Sequence, residues 1–164
     1  LARLSQHNKG RAEDPRAIAL RDLVDQVART RARQHPVQVR GDAPLALADP
    51  ARVEQILTHL LQNAIDASAP DSPVEMHLSS DATSVLIDIM DRGRGMSAEY
   101  IRRELFKPVS SSKVGGFGIG AFEARTLAQA MGGRIDVESK AGVGSRFTLR
   151  LPIAPCVDQK EKAA

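Results

Sequence analysis

Asp91-Arg92-Gly93-Arg94-Gly95-Met96 decides the fold because of what precedes it. Val85-Leu86-Ile87-Asp88-Ile89-Met90 is a near-continuous apolar run, the pattern of a central strand, so the glycines stand where a buried strand ends. The run Val74 to Ser80, also rich in β-formers, lies just upstream and is separated from Ser84 to Met90 by Asp81-Ala82-Thr83. That spacing predicts an antiparallel hairpin.

Two more glycine groups follow, Gly115-Gly116-Phe117-Gly118-Ile119-Gly120 and Gly142-Val143-Gly144-Ser145. Any one of the three alone is an ordinary turn. Their order carries more: the first follows a buried strand, the second opens a helix and the third precedes a final strand. None has the GxxxxGK[ST] spacing of a P-loop, and none places GxGxxG between a strand and a helix, so both commoner nucleotide folds are disfavoured.

Upstream, Ile18, Leu20, Leu23, Val24, Val27 and Ala28 recur near helical spacing, which predicts a helix from Ile18 that ends before Pro36. Short strands are expected around Val37 to Val39 and Leu45 to Ala48. Asp49-Pro50 reads as a helix start, since Asp caps free N–H groups and Pro suits the first helical position. Val53, Ile56, Leu57, Leu60, Leu61 and Ala64 then form an i, i+3, i+4, i+7 stripe that must pack on something large. A short helix near Ser97 to Glu104, a helix from about Ala121 to Met131, and strands Arg134 to Glu138 and Arg146 to Leu151 complete the pattern. The class is α+β: one mixed, mostly antiparallel sheet with helices packed on one face. Residues 1–15 read as a linker or the cut end of a preceding region, 16–152 as the domain and 153–164 as a polar tail.

The 164-residue chain, with 42% hydrophobic residues, is long enough to bury one core. No stretch approaches the roughly 18 consecutive apolar residues of a membrane span, so no direct insertion is expected. Cys156 is the only cysteine, which excludes an internal disulfide and fits a reducing, cytoplasmic setting. Arg16, Arg21, Arg29, Arg31, Arg33 and Arg40 crowd the first quarter, most simply as a solvated helix face, with a docking surface as the alternative. With no Trp, one Tyr and no DNA- or RNA-binding motif, nucleic acid is not an expected partner.

Taken in order, Asn63 in Gln62-Asn63-Ala64, the Asp91 to Met96 group, Phe106, the Gly116 to Gly120 group and the Gly142 to Ser145 group resemble the N, G1, F, G2 and G3 boxes of the GHKL superfamily of ATPases and kinases. The likeness covers about Ala48 to Pro152, roughly two thirds of the chain, and within the superfamily it is nearest to bacterial sensor histidine kinases. Phe117 to Arg125 resembles the PrsK-type kinases. The resemblance implies a Bergerat-type α/β sandwich that binds ATP with Mg²⁺. It makes Asn63 the Mg²⁺ ligand through a hard, neutral amide oxygen. It makes Asp91 the acceptor for the adenine amino group, a task suited to a group that only accepts when ionised. Gly93, Gly95 and Met96 would line the purine, with the glycines removing Cβ atoms where the ring passes backbone. Gly116, Gly118 and Gly120 would receive phosphate oxygens at a helix start, with Lys113 as a point charge and the segment around Ser110 to Ser112 as a lid. Phe106 would anchor the lid's base. Asp66 would reach the phosphates, and Thr148 would touch the adenine end.

Departures from the family pattern limit what the chain does alone. His59 stands where many histidine kinases have a second Asn and GHKL hydrolases have a water-activating Glu. Asp66 replaces a frequent Lys, and Val109 an aromatic. Neither His7-Asn8-Lys9 nor His35-Pro36 resembles a phosphoacceptor motif. The expected partner is therefore a histidine-phosphoacceptor dimerisation domain elsewhere in a homodimeric parent, for which the resemblance allows a membrane anchor, and through it a response regulator. Alternatives are an anti-sigma-type serine/threonine kinase and a non-catalytic nucleotide sensor of the same fold.

Overall fold

The computed structural model describes residues 15–108 and 120–155. Strand β1 (Arg16–Ile18) leads into helix α1 (Leu20–Arg31), then β2 (Val37–Gly41), β3 (Ala46–Ala48) and helix α2 (Pro50–Ala67). The hairpin β4 (Val74–Ser80) and β5 (Ser84–Asp91) follows. Helix α3 (Ala98–Tyr100) runs into a π-type turn (Ile101–Leu105), and α4 (Ala121–Ala130), β6 (Arg134–Lys140) and β7 (Gly144–Pro152) follow among the described residues.

The main sheet has five strands in the order β2-β4-β5-β7-β6. Only β2 and β4 run parallel; the other neighbours are antiparallel. This is the mixed, mostly antiparallel sheet expected, with β5 at its centre. Alternation along the strands sends Val85, Ile87 and Ile89 of β5, Met76 and Leu78 of β4, and Phe147, Leu149 and Leu151 of β7 to one face, where all are buried. The stripe on α2 and Leu20, Val24 and Val27 of α1 join them in a single core. Asp49 opens α2 as expected, its Oδ1 accepting from the Ala51 N–H at 3.0 Å.

Two expectations shift. Ile18 had the right spacing for the α1 stripe, but it lies in β1, which pairs antiparallel with β3 in a small second sheet. Three residues are too few for a helical period and a strand period to be told apart. At the other end, Ile153 bridges to Ala46 and the Ala154 N–H donates to the Leu45 carbonyl at 2.8 Å, so the chain stays attached to the domain past Pro152. Among the described residues, no helix is long and apolar enough to cross a membrane.

On the face away from the helices, Asp88 is buried and held by Arg146, whose Nε and Nη2 each donate to it at 3.1 Å, and by the Thr148 hydroxyl at 2.5 Å. Asp88 faces away from the core, as a polar residue in β5 should, but it is the buried centre of an ion pair rather than a solvated side chain. Arg146→Ala leaves that carboxylate with one neutral donor. Because Arg146 is half exposed, the expected loss is moderate, about 1–2 kcal/mol, read as a lower urea midpoint with an unchanged slope.

Candidate functional site

Three of the segments singled out in the sequence meet at the end of β5. Asp91 closes that strand on its core-facing side and is only 7% exposed. Its Oδ1 accepts the Gly93 N–H at 2.9 Å, which forms the turn. Burial pushes its carboxyl above the usual value, against the opposing pull of the Gly93 and Ser145 N–H groups and the Arg94 charge. A group with strained ionisation and unfilled acceptor capacity is suited to an incoming donor.

The turn is sewn to its surroundings on both sides. A Cβ on Gly93 would lie 2.1 Å from the Ala67 carbonyl oxygen, at the last residue of α2, and that same oxygen accepts the Arg94 N–H at 3.3 Å. Gly95 has φ +65°, and a Cβ there would lie 2.0 Å from the Lys140 carbonyl oxygen. The Arg94 carbonyl in turn accepts the Gly142 N–H at 2.7 Å. Both glycines were expected to make room for a ligand ring; the close approaches they make are to the protein's own backbone.

On α2, His59 and Asn63 are one turn apart, and Asn63 Nδ2 lies 3.0 Å from His59 Nε2. Asp66 goes elsewhere: it is exposed and accepts from Gln62 Nε2 at 2.9 Å, while Gln62 Oε1 accepts from Arg31 Nε at 2.9 Å. Asp66, expected to reach the phosphates, is thus engaged by Gln62 instead. Met96 packs partly against the core, and its N–H donates to the Ser139 hydroxyl at 2.8 Å.

Thr148 is not brought to Asp91. Ser145 is the residue opposite Asp91 in the β5–β7 register, and Thr148 is opposite Asp88. Three residues along a strand is an odd step, so Thr148 points to the other face. The hydroxyls beside the Asp91 turn are Ser145 and Ser139, whose Oγ atoms are 2.7 Å apart. The Ser139 hydroxyl donates to the Gly144 carbonyl at 3.1 Å, which leaves Ser145 as the donor between the two. Ser145 was visible in the third glycine group; Ser139 becomes apparent only once the register is known.

Gly120 precedes α4 in extended conformation and accepts the Ala124 N–H at 3.0 Å. Lys113, Gly116 and Gly118, with Ser110 to Ser112, lie outside the described residues. Phe106 and Arg125, on either side of that stretch, are in contact: the guanidinium carbon sits 4.5 Å from the ring centroid, a cation–π geometry.

A central strand ending in a buried carboxylate, a glycine turn locked onto a helix that carries an asparagine, and a mixed sheet backed by helices define a nucleotide-binding α/β sandwich. Residues 48–155 match the family of histidine kinase-, DNA gyrase B-, and HSP90-like ATPases, and the chain belongs to it. The nucleotide of such a domain is ATP. Sensor histidine kinase ZraS of Escherichia coli is 34% identical over 131 residues, covering 80% of this chain and 28% of that protein. Adaptive-response sensory kinase SasA of Synechococcus elongatus is 32% identical over 151 residues, covering 85% of this chain and 39% of that one. The chain thus spans well under half the length of these relatives. In fold it is similar to the nucleotide-free catalytic domain of histidine kinase ThkA, at TM-score 0.73 and 21% identity over 86% of this chain and 97% of that one. It is also similar to full-length ShkA in complex with AMPPNP, at TM-score 0.74 and 24% identity over 90% of this chain and 33% of that one.

Proposed function

We propose that this chain is the ATP-presenting half of a two-part protein-histidine kinase. The observation that carries the reading is the junction at Ala67, where the helix bearing Asn63 and the turn bearing Asp91 are held together by one carbonyl. A nucleotide held by its base at Asp91 and by its phosphates toward Asn63 and the start of α4 would be fixed at both ends by one rigid unit, which is what positioning catalysis needs. The donor chemistry fits Mg²⁺. Asn63 offers a neutral amide oxygen, and its nitrogen is already engaged by His59. When bound, the cation would neutralise charge on the phosphates.

The chain's own residues then bind and orient. Asp91 takes the adenine amino group, with Ser145 and Ser139 beside it, and Gly120 admits phosphate oxygens at the start of α4. Lys113, Gly116 and Gly118 would complete the phosphate site. Asp66 and Thr148, turned elsewhere, are left out of it. The accepting imidazole comes from a dimerisation domain of the parent, which is a homodimer that passes the phosphoryl group to a response regulator in the cytoplasm. The similarity of Phe117 to Arg125 to PrsK-type kinases supports placing the parent in that subgroup.

The test is calorimetric binding of ATP with and without Mg²⁺, followed by incubation with labelled ATP and the parent's dimerisation domain. The expected product is acid-labile phosphohistidine on that domain. An acid-stable phosphoserine on a separate regulator would point to an anti-sigma-type kinase. Tight binding with no transfer to any acceptor would leave a nucleotide sensor, and no binding would overturn the reading altogether.

A further inference from the structure

We infer that His59, with its ring proton on Nδ1, is the positioning residue that fixes which way the Asn63 amide faces, and so makes its oxygen, not its nitrogen, the atom offered to the cation. The inference rests on the reading of Asn63 as the Mg²⁺ ligand. Residues four apart on α2 are neighbours on one face, and Asn63 Nδ2 is 3.0 Å from His59 Nε2. An amide nitrogen can only donate, so Nε2 is the acceptor and the ring proton is on Nδ1. With the ring proton on Nδ1, turning the amide over would set its oxygen against the same lone pair, acceptor facing acceptor; only moving the proton to Nε2 would let the ring meet it. The imidazole therefore separates two amide orientations that are nearly equal in shape and opposite in chemistry. One presents an oxygen to a cation; the other presents two N–H donors, which repel it.

Holding a ligand in its binding orientation before the metal arrives removes an ordering cost, and the N–H bond to the imidazole also makes the amide oxygen a better donor of electron density. In this role His59 acts through Asn63. This gives the histidine at the family's variable N-box position a task distinct from activating water, for which it would have to face the phosphates rather than the amide nitrogen.

The experiment compares His59→Met, which keeps length and loses the acceptor, with His59→Gln, whose amide oxygen can accept the same bond. The readout is ATP affinity by calorimetry in Mg²⁺ and in EDTA, beside the melting temperature. His59→Met is expected to lose about 10-fold of the Mg²⁺-dependent gain in affinity, the lower end of effects seen for orienting partners of metal ligands. Its affinity in EDTA and its melting temperature should match wild type, and His59→Gln should recover most of the gain. A full Mg²⁺-dependent gain in His59→Met, a loss of equal size in EDTA, or a His59→Gln variant as poor as His59→Met would each overturn the inference. Asn63→Ala separates the two levels. If it abolishes the gain while His59→Met keeps it, only the role of His59 falls. If it keeps the gain, Asn63 is not the ligand and both fall.

Discussion

Asp91→Asn is expected to weaken ATP binding by about 100-fold while leaving the melting temperature equal to wild type or higher. The carboxylate is nearly buried, and burial outweighs the N–H groups of Gly93 and Ser145 and the charge of Arg94, so its pKa is raised. A raised folded-state pKa means that the ionised form costs stability at every pH above it. That cost is relieved as pH falls through the folded value toward the unfolded one. Asparagine resembles the protonated acid, keeps an oxygen for the Gly93 N–H and carries no charge to desolvate. For the ligand the balance reverses. A hydrogen bond to a charged acceptor contributes about 1.5–3 kcal/mol, and the variant can turn an NH₂ toward the adenine amino group, so the upper end applies. Wild-type affinity should accordingly fall on acidification at a higher pH than an ordinary aspartate would give, while the variant's profile stays flat there. Calorimetry for affinity and differential scanning for stability check both halves. Unchanged affinity, or a clear drop in melting temperature, would remove Asp91 from the role given to it.

Gly95→Ala is expected to destabilise the domain by about 3 kcal/mol or more, a fall of roughly 10 °C in melting temperature. Two costs add. At φ +65° a Cβ is strained against its own backbone, and it would also be driven to 2.0 Å from the Lys140 carbonyl oxygen, a backbone atom that cannot rotate aside. Gly142 provides the control, because its φ of +79° is equally unfavourable to a side chain but nothing lies within 4 Å of the added atom. Gly142→Ala should cost only the conformational part, about 1 kcal/mol. Equal losses in the two variants, measured by thermal denaturation, would mean that the β6–β7 turn simply moves away and that the packing of the Arg94 turn against it is soft.

Much of this architecture could be read before any coordinates. The apolar stripe on α2, the Asp49-Pro50 start, the β4–β5 hairpin and the carboxylate at the end of β5 each rest on a period or a cap that local sequence contains. What escaped depended on partners far along the chain. Ile18 fits a helical stripe equally well as a strand, and only the presence of β3 decides between them. Thr148 is close to Gly144 in sequence, yet the face of a strand residue is set by parity from the register, and Ser145 has the parity of Asp91. Asp66 has the spacing to join Asn63 but finds Gln62, which Arg31 of another helix has already oriented. Ser139 has no local signature at all.

The contact between Gly93 and the Ala67 carbonyl bears on how such domains are told apart over evolutionary time. The end of α2 by itself demands a residue without a side chain at 93. A descendant that had ceased to bind nucleotide would still be held to that glycine by its own architecture, whereas the turn at 91 needs only an oxygen for the Gly93 N–H, not the buried charge. If Asp91 holds the base as proposed, the glycine of such a descendant would still mark its ancestry, while the charge at 91 would be free to go.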